Sequence, residues 1–180
     1  MRALLDACVI YPTVLREVLV GCAGLGLYEA LWSERILEEW ARATVKLGPE
    51  AEVQARGEVA VLKAQFPHAC VRPRDGDLAR LHLPDENDIH VLAAAIAGSA
   101  DVIVTLNAKD FPRQTLAFEG LKRLSPDEFL MDLWLETPAA VEQAVRGVHK
   151  VACEMSGEDL DLRALMKRAR LPRLGKGIDV

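Results

Sequence analysis

The sequence predicts an α/β fold: an open parallel sheet sandwiched by helices, followed by a helical C-terminal extension. Three observations carry this. Through Leu124, short apolar runs alternate with longer amphipathic ones, the order of strand and helix that builds parallel sheets. Residues 102–106 (Val-Ile-Val-Thr-Leu) show no apolar/polar alternation, as expected of a central strand covered on both faces. From Ser125 onward every periodic segment is helical.

Taken in order, residues 2–5 read as a short buried strand that stops at Asp6. Residues 13–22 read as a helix with Val14, Leu15, Val18 and Leu19 on one side, broken by Gly21, Gly24 and Gly26. Residues 27–32 form a second strand. Ser33 caps a helix that sets Ile36, Leu37 and Trp40 at core spacing. Pro49 opens a helix to about Phe66, carrying Val53, Val59, Val61 and Leu62, and Cys70-Val71 makes a brief strand. Asp85 starts an alanine-rich helix through Ala97, with strands at 102–106 and 121–124 after it. Ser125-Pro126-Asp127-Glu128 is a capping box with proline at the first helical position. Helices occupy 127–135, 139–155 and 160–169, punctuated by Thr137-Pro138 and Ser156-Gly157. The expected division is an α/β domain over residues 1–136 and a helical extension with a basic tail over 137–180.

The chain has 180 residues, half of them hydrophobic, enough for a sizeable core without covalent staples. Cys8, Cys22, Cys70 and Cys153 show neither a CxxC spacing nor a nearby histidine in a zinc-like pattern. They read as reduced, mostly buried thiols of a cytoplasmic protein. The start, MRALLDACVIYPTVL, imitates a secretory leader, but Asp6 interrupts it and Arg16 and Glu17 end it. The longest apolar stretch, 91–106, is broken by Gly98, Ser99 and Asp101 and is too short to span a bilayer; no membrane role is expected. The net charge of −5 does not advertise a nucleic-acid binder, yet a metal centre would itself need a local excess of carboxylates.

The acids admit two readings each. Asp6 ends an apolar strand and precedes another apolar run, where a carboxylate is partly desolvated; it is a functional group or a cap for the next segment. Asp85 and Asp88 fit the cap and third positions of a helix, where amides and dipole favour them without any chemistry. The same environment keeps a carboxylate ionised, as a metal ligand must be. Glu39 lies beside Trp40 near the apolar face of its helix, whereas Glu38 has Glu34 and Arg42 at four-residue spacing, a solvent pattern. Asn107 and Asp110 come after the 102–106 strand as ordinary loop residues or as site residues, and His90 reads as structural. In open parallel sheets ligands bind beyond the carboxyl ends of the strands, and Asp6 and the 107–110 loop both occupy that position.

The combination is more specific than its parts. A strand ending in Asp6, then Ser33-Glu34-Arg35-Ile36-Leu37-Glu38-Glu39-Trp40, then Asp85-Glu86-Asn87-Asp88 before an alanine-rich helix, then Ala100-Asp101-Val102-Ile103-Val104-Thr105, resembles a PIN domain, over roughly residues 1–130. It is similar to the VapC-type ribonuclease toxins of toxin–antitoxin pairs, in the subgroup with a C-terminal helical segment. The resemblance implies that Asp6, Glu39 and Asp88 are catalytic metal ligands, joined by Asp85, Asn107 or Asp110. Two departures stand out. Thr105-Leu106-Asn107 replaces the Thr-x-Asp that many PIN domains carry, and Asp6-Ala7-Cys8 lacks the hydroxyl that commonly comes after the first aspartate.

The resemblance also implies a Mg²⁺- or Mn²⁺-dependent endoribonuclease with an RNA substrate, a cognate antitoxin and dimerisation. The stretch 163–176 contains Arg163, Lys167, Arg168, Arg170, Arg173 and Lys176 and no acid. It reads as a solvated, partly disordered tail or as a grip for RNA or an acidic partner, with Arg168, Arg170, Arg173 and Lys176 the candidates. The competing readings are an inactive PIN-like binding protein, favoured by Ala7 and Asn107, and a phospho-acceptor receiver domain. The latter needs an acid pair beside the first strand, where Asp6 stands alone.

Overall fold

The structure, a computed structural model, describes residues 1–178. In chain order the elements are β1 (Arg2–Leu5), α1 (Ala7–Ile10), α2 (Thr13–Gly24), β2 (Glu29–Leu31), α3 (Glu34–Ala43), α4 (Pro49–Gln65), α5 (Asp75–Arg80) and α6 (Ile89–Ala97). They continue with β3 (Val102–Val104), α7 (Arg113–Phe118), β4 (Lys122–Leu124), α8 (Pro126–Glu136), α9 (Pro138–Ser156), α10 (Leu162–Arg168) and α11 (Pro172–Ile178). Among the described residues the strands form one four-stranded sheet in the order β2-β1-β3-β4. β1 runs parallel to both β2 and β3, so the expected open parallel α/β sheet is the observed one.

Hydrophobicity explains the order. Ala3, Leu4 and Leu5 of β1 and all three residues of β3 are buried, which only a strand covered on both faces permits. His90 through Ala95 of α6 are likewise all buried; a helix apolar all round belongs inside a core. Gly98 closes this helix where a Cβ would come within 2.8 Å of Leu31 Cδ1, so its lack of a side chain lets the helix end sit close to β2. α3 is the opposite case: Ser33 Oγ accepts from the Ile36 amide, and Ile36, Leu37, Trp40 and Ala41 form the buried stripe.

The chain divides into two compact units, residues 1–11 with 29–123, and 12–28 with 124–180. The division differs from the expected boundary after residue 136. α2 and α8 join the C-terminal helices because their apolar faces pack there: Gly21 of α2 meets Ala144 of α9, and Tyr28 packs edge-on against Phe129 of α8 with ring centroids 4.9 Å apart.

Several short elements escape periodicity. α1, α5, α7 and α11 have four to seven residues each, too few turns for an apolar stripe to register. The alanine-rich helix begins later than expected, at Ile89, after a 3₁₀ turn over Glu86–Asp88. Cys70 makes only an isolated bridge to Trp32. The basic stretch is not a loose tail: α10, α11 and the turn between them bury Leu162, Leu165, Met166, Leu171 and Leu174 while its six cations stay exposed. The expected extension reaches 180, and residues 179 and 180 lie outside the described residues.

α11 is anchored by an acid far away in sequence. The buried Asp127 carboxylate of α8 accepts from the amides of Arg173 (3.0 Å) and Leu174 (3.1 Å), the second and third residues of α11. It thus serves as a cap supplied by another helix. Asp127→Ala leaves two donors unmet, and about 1–3 kcal/mol of stability should be lost. Urea denaturation monitored by circular dichroism would measure it; an unchanged midpoint would remove the capping role.

Candidate metal centre

The sheet register sets up the site. Leu5 pairs with Val104, so the next residue of each strand, Asp6 and Thr105, emerges side by side at the carboxyl edge. The Thr105 hydroxyl donates to Asp6 Oδ2 at 2.7 Å, and Cys8 Sγ donates to the same oxygen at 3.1 Å. Burial first, and then the nearby Asp6 charge, pushes the Cys8 thiol up to about 12, so it remains a protonated donor. The Leu106 amide donates to Cys8 Sγ and the Asn107 amide to Thr105 Oγ1. The hydroxyl missing after Asp6 in the sequence is therefore supplied by Thr105, the residue after β3, with help from Cys8.

Asp6 and Asp88 both occupy helix N-cap positions, of α1 and α6, and neither side chain makes a capping hydrogen bond. Asp85 does: its Oδ1 accepts from the Asn87 amide at 2.9 Å and from Asn87 Nδ2 at 3.0 Å. The cap reading thus holds for Asp85 and fails for the side chains of Asp6 and Asp88.

Among the described residues, Asp85, Asp88 and Asp110 each offer a carboxylate oxygen within 4.8 Å of the others. Asn107 Nδ2 donates to Asp88 Oδ2 at 3.1 Å. Asn107 is therefore a hydrogen-bond donor to the cluster, and the third carboxylate comes from Asp110 on the adjoining 3₁₀ turn. Partial burial, then the charges of Asp6, Asp85 and Asp110, pushes Asp88 up from 3.8 to about 6. Like charges are gathered here and only partly offset: Lys109 Nζ reaches Asp110 at 3.8 Å, and His90 lowers the Asp88 pKa in part. Oxygen donors at this spacing fit a hard divalent cation such as Mg²⁺ or Mn²⁺.

Glu39 lies outside this cluster. Its Oε1 accepts from His90 Nε2 at 2.9 Å and pairs with Arg35 Nε at 3.1 Å. Burial raises its pKa, but the His90 hydrogen bond and Arg35 outweigh that and hold it below the ordinary glutamate value. His90 is buried, and its Nδ1 has no hydrogen-bond partner. Glu38 turns away to Arg42 and Arg56, the solvent pattern its spacing indicated. Thr105 belongs to the motif but has no role assigned there; its signal was its place one step beyond a buried parallel strand, level with Asp6.

Carboxylates gathered at the carboxyl edge of an open parallel sheet are the arrangement that the sequence resemblance implied. Comparison with family models agrees: the PIN domain model matches residues 2–109, more than half of the chain. The chain belongs to the PIN domain family. Among curated proteins it is similar to "Putative ribonuclease VapC50" of Mycobacterium tuberculosis (strain ATCC 25618 / H37Rv), with 53% identity over 45 residues. That stretch is 25% of this chain and 27% of the relative, so the chain aligns with little more than a quarter of the relative's length. No solved structure matches significantly.

Proposed function

We propose that this protein is a metal-dependent endoribonuclease and the toxin of a toxin–antitoxin pair, with a cognate antitoxin as its partner. One observation carries the nuclease reading: Asp88 sits at a helix N-cap without capping it, and is instead partly buried among three other carboxylates; burial first, and then their charges, raises its pKa to about 6. Such crowding is unfavourable unless a cation resolves it. The family and the name of the partial relative support RNA as the substrate.

Asp88, Asp85 and Asp110 would hold Mg²⁺ or Mn²⁺, with Asp6 adding its charge to theirs. When bound, the ion supplies Lewis acidity, a more acidic water and neutralisation of charge on the reacting phosphate. The remaining work belongs to the chain. Thr105 and Cys8 fix the Asp6 carboxylate by two donated hydrogen bonds. Asn107 fixes Asp88, and Asp85, tied to Asn87, fixes the loop that presents both acids. Glu39, locked by Arg35 and His90, sets the position of α3 against α6.

The nuclease function is assigned to residues 1–136, with 137–180 as an accessory helical extension. Cytoplasmic location accords with four free cysteines, and no helix among the described residues is long and apolar enough to cross a membrane. Dimerisation is part of the same reading. The test is cleavage of RNA by purified protein with Mn²⁺ or Mg²⁺ and with EDTA. A second reading, an inactive binding protein, draws on Asn107 standing where a carboxylate is common; metal binding without cleavage would favour it.

Thr105→Val should weaken cleavage about 10-fold or more while the fold persists, because the buried Asp6 oxygen loses its shortest donor. Stability should fall by about 1–2 kcal/mol. Cleavage at the wild-type rate, measured on the same RNA, would deny Thr105 any positioning role.

A further inference from the structure

The acidic site leaves unexplained how a chain of net charge −5 would hold a polyanion. The answer lies on α10 and α11. Residues 163–176 carry six cations and no acid, so the rest of the chain together carries −11. All six are exposed. None forms an ion pair among the described residues, whereas Arg2, Arg35, Arg42, Arg56, Lys63 and Arg80 elsewhere all do.

The backbone presents them in a fixed array. α10 and α11 are joined by a two-hydrogen-bond turn, Arg170 N to Lys167 O and Leu171 N to Met166 O, the C-terminal motif that normally calls for glycine. Arg170 occupies the left-handed position, with φ +65°, where an L side chain is strained. Glycine would relieve that strain; arginine retains a guanidinium at the apex of the turn. Strain of this kind points to a use for the side chain. Arg173 is the second residue of α11, where the Asp127 carboxylate that accepts from its amide offsets the positive end of the helix dipole. Lys167 and Arg168 suit the C-terminal end of α10 on dipole grounds.

We infer that the α10–α11 hairpin is a second, metal-independent binding site of this chain, taking the phosphate backbone of single-stranded RNA. Two features favour a nucleic acid over an acidic protein partner. Four of the six cations are arginines, whose planar forks match phosphate oxygens. Among the described residues, no large hydrophobic side chain is exposed between Ser156 and Ile178, so the apolar anchor that a protein interface needs at its centre is missing. The choice of RNA over DNA rests on the nuclease reading above.

The test is binding of a fluorescent 20-nucleotide RNA to the full chain in EDTA, read by anisotropy across a salt series. The variant R168Q/R170Q/R173Q/K176Q should bind on the order of 100-fold more weakly at 0.1 M salt. Its slope of log affinity against log salt should flatten by roughly 0.7 for each phosphate that is no longer neutralised. Arg170→Gly should melt no lower than wild type yet bind RNA several-fold more weakly, a split that a structural role would not give. Unchanged RNA affinity in the quadruple variant would overturn the proposal. So would displacement of the RNA by a polyglutamate peptide at equal charge concentration, which would assign the surface to an acidic protein. The nuclease reading is judged separately. If wild type cuts nothing with Mn²⁺ but the quadruple variant still loses RNA affinity, the hairpin site stands and the nuclease assignment falls.

Discussion

Asp88→Asn should abolish RNA cleavage, by about 10³-fold or more, and at the same time make the metal-free protein more stable at neutral pH. The two effects have one origin. Asp88 is partly buried among Asp6, Asp85 and Asp110, and its pKa stands near 6. Below about pH 3 the carboxyl is protonated in folded and unfolded chains alike, and it favours neither state. As pH rises from there towards 6, the unfolded chain releases the proton while the folded one retains it, so folding stability declines. Above about 6 the full penalty is present. The rise from 3.8 to about 6 corresponds to about 3 kcal/mol, and with solvent screening at a half-open site about 1–2 kcal/mol is expected. Asparagine carries no charge and escapes the penalty. Urea melts of wild type and variant in EDTA should therefore differ most above about pH 6.5 and converge below about pH 3. Cleavage that survives in the variant would remove Asp88 from the reaction. A variant less stable than wild type at pH 7.5 would mean that the carboxylate is not frustrated.

How much of this is legible in the sequence differs between fold and site. β3 is readable because its three apolar residues admit no alternation, and α6 because every residue from His90 to Ala95 is apolar or small except the histidine. The caps at Ser33 and Ser125 mark two helix starts to the residue. The start of α6 is hidden because Asp85 caps a 3₁₀ turn with the same atoms that would cap an α-helix. The basic stretch looks open to disorder because its charges dominate the composition, yet Leu165, Met166, Leu171 and Leu174 are enough to fold it.

At the site, the residue types and their order point to the region where the carboxylates of Asp85, Asp88 and Asp110 gather, while the side-chain partners are hidden in register. Nothing in the local sequence says that Thr105 stands beside Asp6; the pairing of Leu5 with Val104 does. Likewise Asn107 reads as a missing carboxylate. In the structure it donates to Asp88, and Asp110, three residues on, closes the cluster. A one-residue comparison with the usual motif cannot find that exchange, because it depends on the 3₁₀ turn over Ala108–Asp110 folding back.

Removing divalent metal should stop cleavage entirely and also lower the melting temperature of the wild-type protein, and the second result separates the two readings of the site. A ligand that binds only the folded state stabilises it by about 2.7 kcal/mol at a hundredfold excess over its dissociation constant. For a chain of this size that is on the order of 5–10 °C. In EDTA the clustered carboxylates of Asp85, Asp88 and Asp110 repel one another; Mn²⁺ relieves the repulsion, so the gain should grow from pH 5 to pH 7.5 as Asp88 ionises. The Asp88→Asn protein should show little of it. Melting curves at several Mn²⁺ concentrations, run beside an RNA cleavage assay, give both quantities from one preparation. Cleavage that persists in EDTA would eliminate the metal mechanism. A Mn²⁺-dependent rise in melting temperature with no cleavage of any RNA supplied would assign the centre to an inactive, metal-binding PIN domain, in which the exchange of a carboxylate for Asn107 has kept the ion and lost the reaction.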